Sequence, residues 1–306
     1  MTVATKTTNV FFIFGTESSL DVLANSAHIF MDGTFKIVPE LFFQLYSIHA
    51  MTPNGVFPCA YALLPNQIRR TYQRLFEKMK ELRPNMQPQT VMMDFKLAEM
   101  QSAEDVFTNA TVHGCFYHLT QNVYRKVQAE GLQTAYCENP ELATQVRMLM
   151  AIAFVPLTDV VSAFEAVQEA ALPEITPIVD YFEDTYVGRM RRRTRAPPRY
   201  PPAQWNIHAR LEIGLPRTNN NVEGWHRHMQ AAVAAHHPNI WRFIQVLRKE
   251  HSLNHVRINQ LNAGQAPPPA RKMYADVTLR IRRIVDDFPN RYMLDFLRCI
   301  SYNIRV

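Results

Sequence analysis

Three acidic residues in this 306-residue chain stand where a fold can bring carboxylates together. Asp32 follows the apolar run His28–Met31, Asp94 follows Thr90–Met93, and Glu223 falls in the first turn of a late helical segment. Adjacent strand ends in one sheet can juxtapose two carboxylates, and a helix packed beside that edge can add a third. Such a cluster suits a magnesium ion, which prefers carboxylate and water oxygens and is usually shared with substrate phosphates. Two ions about 3.5–4 Å apart would stabilise both the attacking and the leaving oxygen of an in-line phosphoryl transfer. Each acid also has an ordinary structural reading. Asp32-Gly33 is a common turn dipeptide, Asp94 can cap the helix that follows it, and Asn220-x-x-Glu223 resembles a capping box. With 27 acids in the chain, triplets also arise by chance.

Other residues carry weaker signals. Cys115-x-x-His118 at a helix start could be half of a zinc site, but a closed site needs four ligands and no matching second pair is evident. A cysteine–histidine nucleophile and plain core packing are the other readings. His226, His228, His236 and His237 form a histidine-rich patch. His226 and Arg227 lie three and four positions after Glu223, on its face of the helix, and read as solvated or DNA-facing. Trp225 shares an apolar stripe with Val222 and Met229 and reads as core.

Arg189, Arg191, Arg192, Arg193, Arg195 and Arg199 fall in a stretch with no acid, followed by Pro201 and Pro202. This predicts an exposed, extended basic arm over residues 189–202. Its arginines suit phosphate contacts, and Tyr200 and Trp205 could stack on exposed bases. A solvated loop and a nuclear-localisation run are the alternatives. Contacts of this kind release counterions, so binding through the arm should weaken steeply with salt and carry little sequence specificity.

The elements that must position these residues can be read from periodicity. His28–Met31, Leu41–Ile48 and Val56–Leu64 predict three strands in an antiparallel meander. Ile68, Tyr72, Leu75, Phe76 and Met79 predict a helix that ends before Pro84. Thr90–Met93 is a fourth strand, Leu97, Met100 and Phe107 mark a helix, Ala110–His113 is a fifth strand, and Leu119, Val123 and Val127 mark a third helix. The resulting order is βββαβαβα. Residues 131–188 read as helical throughout. Helical spacing returns at Val222, Trp225, Met229 and Val233, and again at Ile240, Phe243, Ile244 and Leu247. Gly264–Pro269 predicts a linker into a short helical tail.

An apolar fraction of 47% with only 20% charged residues excludes a disordered tail and supports a sizeable core. Cys59, Cys115, Cys137 and Cys299 are too few and too far apart for a disulfide scaffold, which points to a reducing compartment. Met1–Thr8 shows no secretory pattern, and the longest apolar run, Met148–Val155, is far short of a membrane span. The net charge of +6 equals the number of arginines in residues 189–199, so the rest of the chain balances to neutrality.

Four strings occur in a recognisable order: Asp32-Gly-Thr-Phe-Lys36, Gly114-Cys-Phe-Tyr-His-Leu119, Tyr181-Phe-Glu-Asp-Thr-Tyr186 and Pro216-Arg-Thr-Asn-Asn-Asn-Val-Glu-Gly-Trp-His226. Together they closely resemble the Mutator-like element (MULE) transposase domain, over roughly residues 11–262. The resemblance implies an α/β, ribonuclease H-like mixed sheet with an all-α insertion before the last catalytic helix. It implies an Asp-Asp-Glu triad that falls on Asp32, Asp94 and Glu223, holding two Mg2+ or Mn2+ ions. Cys115 and His118 then support the site or its nucleic acid, and His226, on the Glu223 face of its helix, is a further supporting candidate. One departure is Lys96, two residues after Asp94, where the family often has an acid. The implied layout is a first core part at 1–130, a helical insertion at 131–215, closing core helices at 216–262, and a linker with a helical tail at 263–306.

The function implied is DNA strand cleavage and strand transfer in the nucleus, on transposon ends and target DNA, by an oligomer assembled on that DNA. A domesticated or decayed transposase that binds DNA without strand chemistry is the main rival. A structure-selective nuclease or ribonuclease H is a third reading.

Overall fold

The structure is a computed structural model that describes residues 10–266 and 272–305, with residues 272–275 described by backbone alone. Met1–Thr8 and residues 267–269 of the expected linker lie outside the described residues. In chain order the elements are β1 (Phe12–Phe14), α1 (Glu17–Ala24), β2 (His28–Thr34), β3 (Gln44–Thr52), β4 (Gly55–Leu64), α2 (Arg69–Leu82), β5 (Thr90–Met93), α3 (Leu97–Val106), β6 (Thr111–Gly114) and α4 (Phe116–Ala129). There follow α5 (Gln133–Glu138), α6 (Pro140–Ala151), α7 (Val160–Glu169), α8 (Thr176–Phe182), β7 (Met190–Arg191), β8 (Thr194–Arg195), α9 (Pro202–Trp205) and α10 (His208–Glu212). Helices α11 (Asn220–Val233), α12 (Ile240–Asn262), α13 (Lys272–Asp286) and α14 (Met293–Ser301) complete the chain. Two compact units result. One comprises the described residues up to His113 together with Asn219–Ala266, and the other comprises Gly114–Thr218 and the residues from Lys272 on.

The first unit is built on a six-stranded mixed sheet in the order β1-β4-β3-β2-β5-β6. Strands β2, β3 and β4 form an antiparallel meander, and β5 runs parallel to β2. The expected series βββαβαβα occupies β2 to α4, and β1 and α1 precede it. Strand β2 runs three residues further than Met31, so Asp32-Gly33 is paired strand opposite Ser47 and Tyr46, and not a turn. Both faces of the sheet are covered. On one, Tyr46 packs its ring against Tyr72 and Phe76 of α2, with centroids 5.5 and 6.2 Å away. On the other, Leu45, Tyr61 and Leu63 meet Trp225, Met229 and Val233 of α11 and Phe243 and Leu247 of α12. Side chains alternate along a strand, which is why neighbours Leu45 and Tyr46 serve opposite layers.

The second unit is mainly helical. Helix α6 starts at an Asn139 cap with Pro140 in the first helical position, and its Met148–Ala151 end is buried. Helix α14 packs on α6, where Arg298 pairs with Glu141. Among the described residues no helix is long and apolar enough to cross a membrane.

The basic stretch departs from the expected extended arm. Strands β7 and β8 make a small antiparallel hairpin, with Arg192 at φ 57° in its turn. Arg195 pairs with Glu165 at 2.6 Å and with the buried Glu183 at 2.8 Å, and Arg189 pairs with Asp184 at 2.8 Å. Acids outside the basic stretch therefore neutralise two of the six arginines, and the other four are exposed. Tyr200 and Trp205 are 3% and 1% exposed, so neither can serve as a base-stacking platform. They pack with Tyr186, and the Trp205 indole N–H donates to Tyr186 O at 3.0 Å.

Gly188 fixes where this hairpin departs from the π turn Glu183–Val187. Its φ is +93°, and a Cβ there would lie 2.0 Å from the backbone oxygen of Ala196. Left-handed backbone and a clash with main chain both exclude a side chain. Gly188→Ala should cost at least about 2 kcal/mol in denaturant unfolding, and a loss under about 0.5 kcal/mol would contradict this packing.

Candidate metal centre

The site lies at the end of β2. Asp32 is 4% exposed, its Oδ1 accepts the Gly33 N–H at 2.7 Å, and its Oδ2 lies 3.6 Å from Nδ1 of His226. Helix α11 brings His226 there. Its apolar stripe, Val222, Trp225, Met229 and Val233, is buried against the sheet, and at 3.6 residues per turn Glu223 and His226 share one flank of that stripe. A carboxylate oxygen of Glu223 lies within 4.8 Å of one of Asp32. The N-cap residue of the helix is Asn219 and Glu223 is its fourth residue, so the Asn220-x-x-Glu223 capping-box reading fails. Trp225 is core, as expected: it stacks on Tyr61 at 5.3 Å, meets His49 edge-on at 5.4 Å, and donates to Glu250 of α12 at 3.2 Å.

Asp94 reaches the same sheet edge through strand pairing. The parallel register pairs His28 with Thr90, Ile29 with Val91 and Phe30 with Met92, and two residues further along each chain lie Asp32 and Asp94. It does not cap α3, whose N-cap residue is Lys96. Its Oδ1 accepts the Phe95 N–H at 2.7 Å and its Oδ2 pairs with Lys96 Nζ at 3.3 Å. Asp32, Asp94 and Glu223 do not all lie within 4.8 Å of one another. Asp32 and Glu223 are brought together, and Asp94, just past the end of β5, carries a cation on one oxygen. The three offer only carboxylate oxygens, a donor set that fits a hard divalent cation.

His226 is 5% exposed, which overturns its reading as a solvated or DNA-facing residue; His228 and Arg227 are exposed as expected. Behind Asp32, His226 Nε2 and His49 Nε2 lie 3.0 and 2.9 Å from Ser47 Oγ, forming a buried polar chain. Burial, with His226 nearby, holds His49 well below its usual pKa, so it stays neutral. Ser47 and His49 were hidden in the apolar β3 run; the only sequence signal was two polar residues at period two within it. Cys115 is the buried N-cap residue of α4 and His118 lies in that helix's first turn. No group of three metal-capable side chains among the described residues includes Cys115, so the zinc reading finds no support.

Glu99, in the first turn of α3, is fully buried and accepts the Tyr46 hydroxyl at 2.7 Å. Burial pushes its carboxyl up to about 8, against the opposing pull of Lys96 and Tyr46. Lys96 is held above its ordinary value: burial works against its charge, but Glu99 and Asp94 outweigh it. Because the Glu99 pKa is raised on folding, the folded chain holds an extra proton between the ordinary value of 4.5 and about 8. The associated stability is complete below the lower value and is lost as pH rises through the upper one. Between about pH 5 and 9 the wild type should lose stability on the order of 2–4 kcal/mol that Glu99→Gln retains. Parallel denaturation profiles for the two proteins would contradict this.

Residues 28–122 match the family model described as MULE transposase domain. The match takes in Asp32, Asp94, Cys115 and His118 and stops before Glu223, so beyond it the resemblance rests on the sequence strings. No curated protein matches the chain. A transposase domain implies work on DNA, and the segment from β2 into α4, which contributes Asp32 and Asp94, is where this chain matches the MULE transposase family.

Proposed function

We propose that this chain is the catalytic core of a DNA transposase with a ribonuclease H-like fold. In this reading Asp32, Asp94 and Glu223 hold two Mg2+ or Mn2+ ions for strand cleavage and strand transfer. The observation that carries it is the approach of the Asp32 and Glu223 carboxylates to within 4.8 Å from a strand and a helix far apart in sequence. The antiparallel β2–β3–β4 meander with β5 parallel to β2 supports the fold assignment. The MULE match supports action on DNA.

Bound divalent ions would activate water or a 3′-hydroxyl and stabilise the leaving oxygen. The chain's own residues supply the cradle. Asp32 is held by the Gly33 N–H and faced by His226, and Ser47 and His49 fix the His226 ring from behind. Glu223 is carried in by α11, and Asp94 follows β5, which pairs in parallel with β2. The exposed Arg191, Arg192, Arg193 and Arg199 offer phosphate contacts, and the substrates are transposon ends and target DNA in the nucleus, handled by an oligomer that holds two ends.

The test is incubation of the full chain with terminal-inverted-repeat DNA in Mg2+, Mn2+ or chelator, beside Asp94→Asn. Metal-dependent joining that disappears in the variant is expected; cleavage without joining would indicate a nuclease, and absence of strand chemistry in either metal would overturn the enzyme reading. The Lys96–Asp94 pair favours one alternative, a domesticated DNA-binding protein, which would bind DNA in a salt-sensitive way with no strand chemistry. Replacing Arg191, Arg192 and Arg193 by Ser should reduce the slope of log K against log salt by about 0.9 for each phosphate that is no longer neutralised, with little change in melting temperature. Arg195→Ala should lower the melting temperature, because Arg195 holds Glu165 and Glu183; an unchanged salt slope in the triple variant would remove the hairpin from the DNA interface.

A further inference from the structure

Lys96 brings into the candidate metal centre a charge that opposes a metal. Its Nζ lies 3.3 Å from Asp94 Oδ2 and 4.0 Å from Glu99 Oε2. The other Asp94 oxygen accepts the Phe95 N–H, so the ammonium and the backbone take different oxygens of the carboxylate. Glu99 is fully buried, and while its Oε1 takes the Tyr46 hydroxyl, its Oε2 has no hydrogen-bond donor. A buried carboxyl oxygen left in that state is unfavourable whether or not the group is ionised. A lysine ammonium has three donors on a flexible four-carbon stem, and here it also lies over the Phe35 ring, 5.6 Å from its centre. A movement of about 1 Å would bring it within hydrogen-bond distance of Glu99 Oε2.

We propose that Lys96 is a displaceable counter-ion, neutralising Asp94 in the metal-free protein and passing to Glu99 when a divalent cation takes Asp94. The inference rests on the metal-site reading above. Two consequences follow from the charges. Metal must compete with an ammonium for Asp94, so the centre binds cations more weakly than the three carboxylates alone would. Glu99 offsets that competition, because it offers the displaced lysine a second, already buried partner. Lys96 and Glu99 are positioning residues in this scheme: neither touches substrate, and both act through Asp94.

Calorimetric titration of Mn2+ into the full chain tests this without reference to strand chemistry. Lys96→Met should bind Mn2+ about tenfold or more tightly than wild type, because a unit charge within 4 Å of the ligand is removed. Glu99→Gln should bind severalfold more weakly. In the double variant the Glu99 effect should vanish, leaving the affinity of Lys96→Met, since a coupling carried by Lys96 cannot outlive it. Lys96→Gln, which keeps part of the stem, must behave as Lys96→Met does and serves if that variant fails to fold. Equal affinities for wild type and both Lys96 variants would overturn the inference, as would a Glu99 effect that persists in full in the double variant. If those affinities are equal and Asp32→Asn abolishes binding, the counter-ion falls and the metal site stands; if wild type binds no Mn2+ through Asp32, both fall.

Discussion

The seating of α11 on the sheet is the interaction on which the candidate centre depends. Two carboxylates within 4.8 Å of each other repel by about 3–4 kcal/mol at an effective dielectric constant near 20. Something must hold them there. Trp225 stacks on Tyr61 while Met229 and Val233 sink into the layer formed by Leu45, Leu63, Phe243 and Leu247. A buried indole alone removes about 150–250 Å² from water, which at about 25 cal/mol per Å² is roughly 4–6 kcal/mol. Apolar burial on one flank of the helix therefore outweighs the charge repulsion on the next, and Glu223 is delivered to Asp32 as a by-product of core packing.

Each aspartate of the centre has a nitrogen for a neighbour. His226 stands 3.6 Å from Asp32 and Lys96 3.3 Å from Asp94. The two partners differ in character. His226 is buried and tied through Ser47 to His49, which fixes its ring, whereas Lys96 ends in a rotatable ammonium between two acids. The first arrangement is rigid support and the second can change partners. The same division appears in the basic hairpin, where Arg195 and Arg189 are spent on Glu165, Glu183 and Asp184 and the exposed arginines remain available to a polyanion.

The repeating elements were legible because their signals are local. Period-two and period-3.6 patterns located β2 to α4, and Thr90–Met93 matched β5 residue for residue. Chain punctuation was less legible. Asp32-Gly33 has the composition of a turn, yet it pairs with Ser47 and Tyr46 because long-range strand pairing overrides dipeptide preference. What sequence could not show was burial decided by partners distant in the chain. Tyr200 and Trp205 read as stacking residues because the prolines and arginines around them look solvated, and it is Tyr186 that takes them into the core. Glu99 carries no sequence signal for the same reason: an acid in a first helical turn is ordinary, and only the approach of Tyr46 and Lys96 makes it a buried participant.

The central claim is that Asp32 and Glu223 share a divalent ion with Asp94 at the end of β2. Anomalous diffraction from a crystal soaked in Mn2+ addresses it most directly, because it locates the ion without assuming any reaction. A metal site built on these acids predicts an anomalous peak bounded by the Asp32 and Glu223 carboxylates. Crystals that take up Mn2+ elsewhere, with no peak between those two residues, would contradict it.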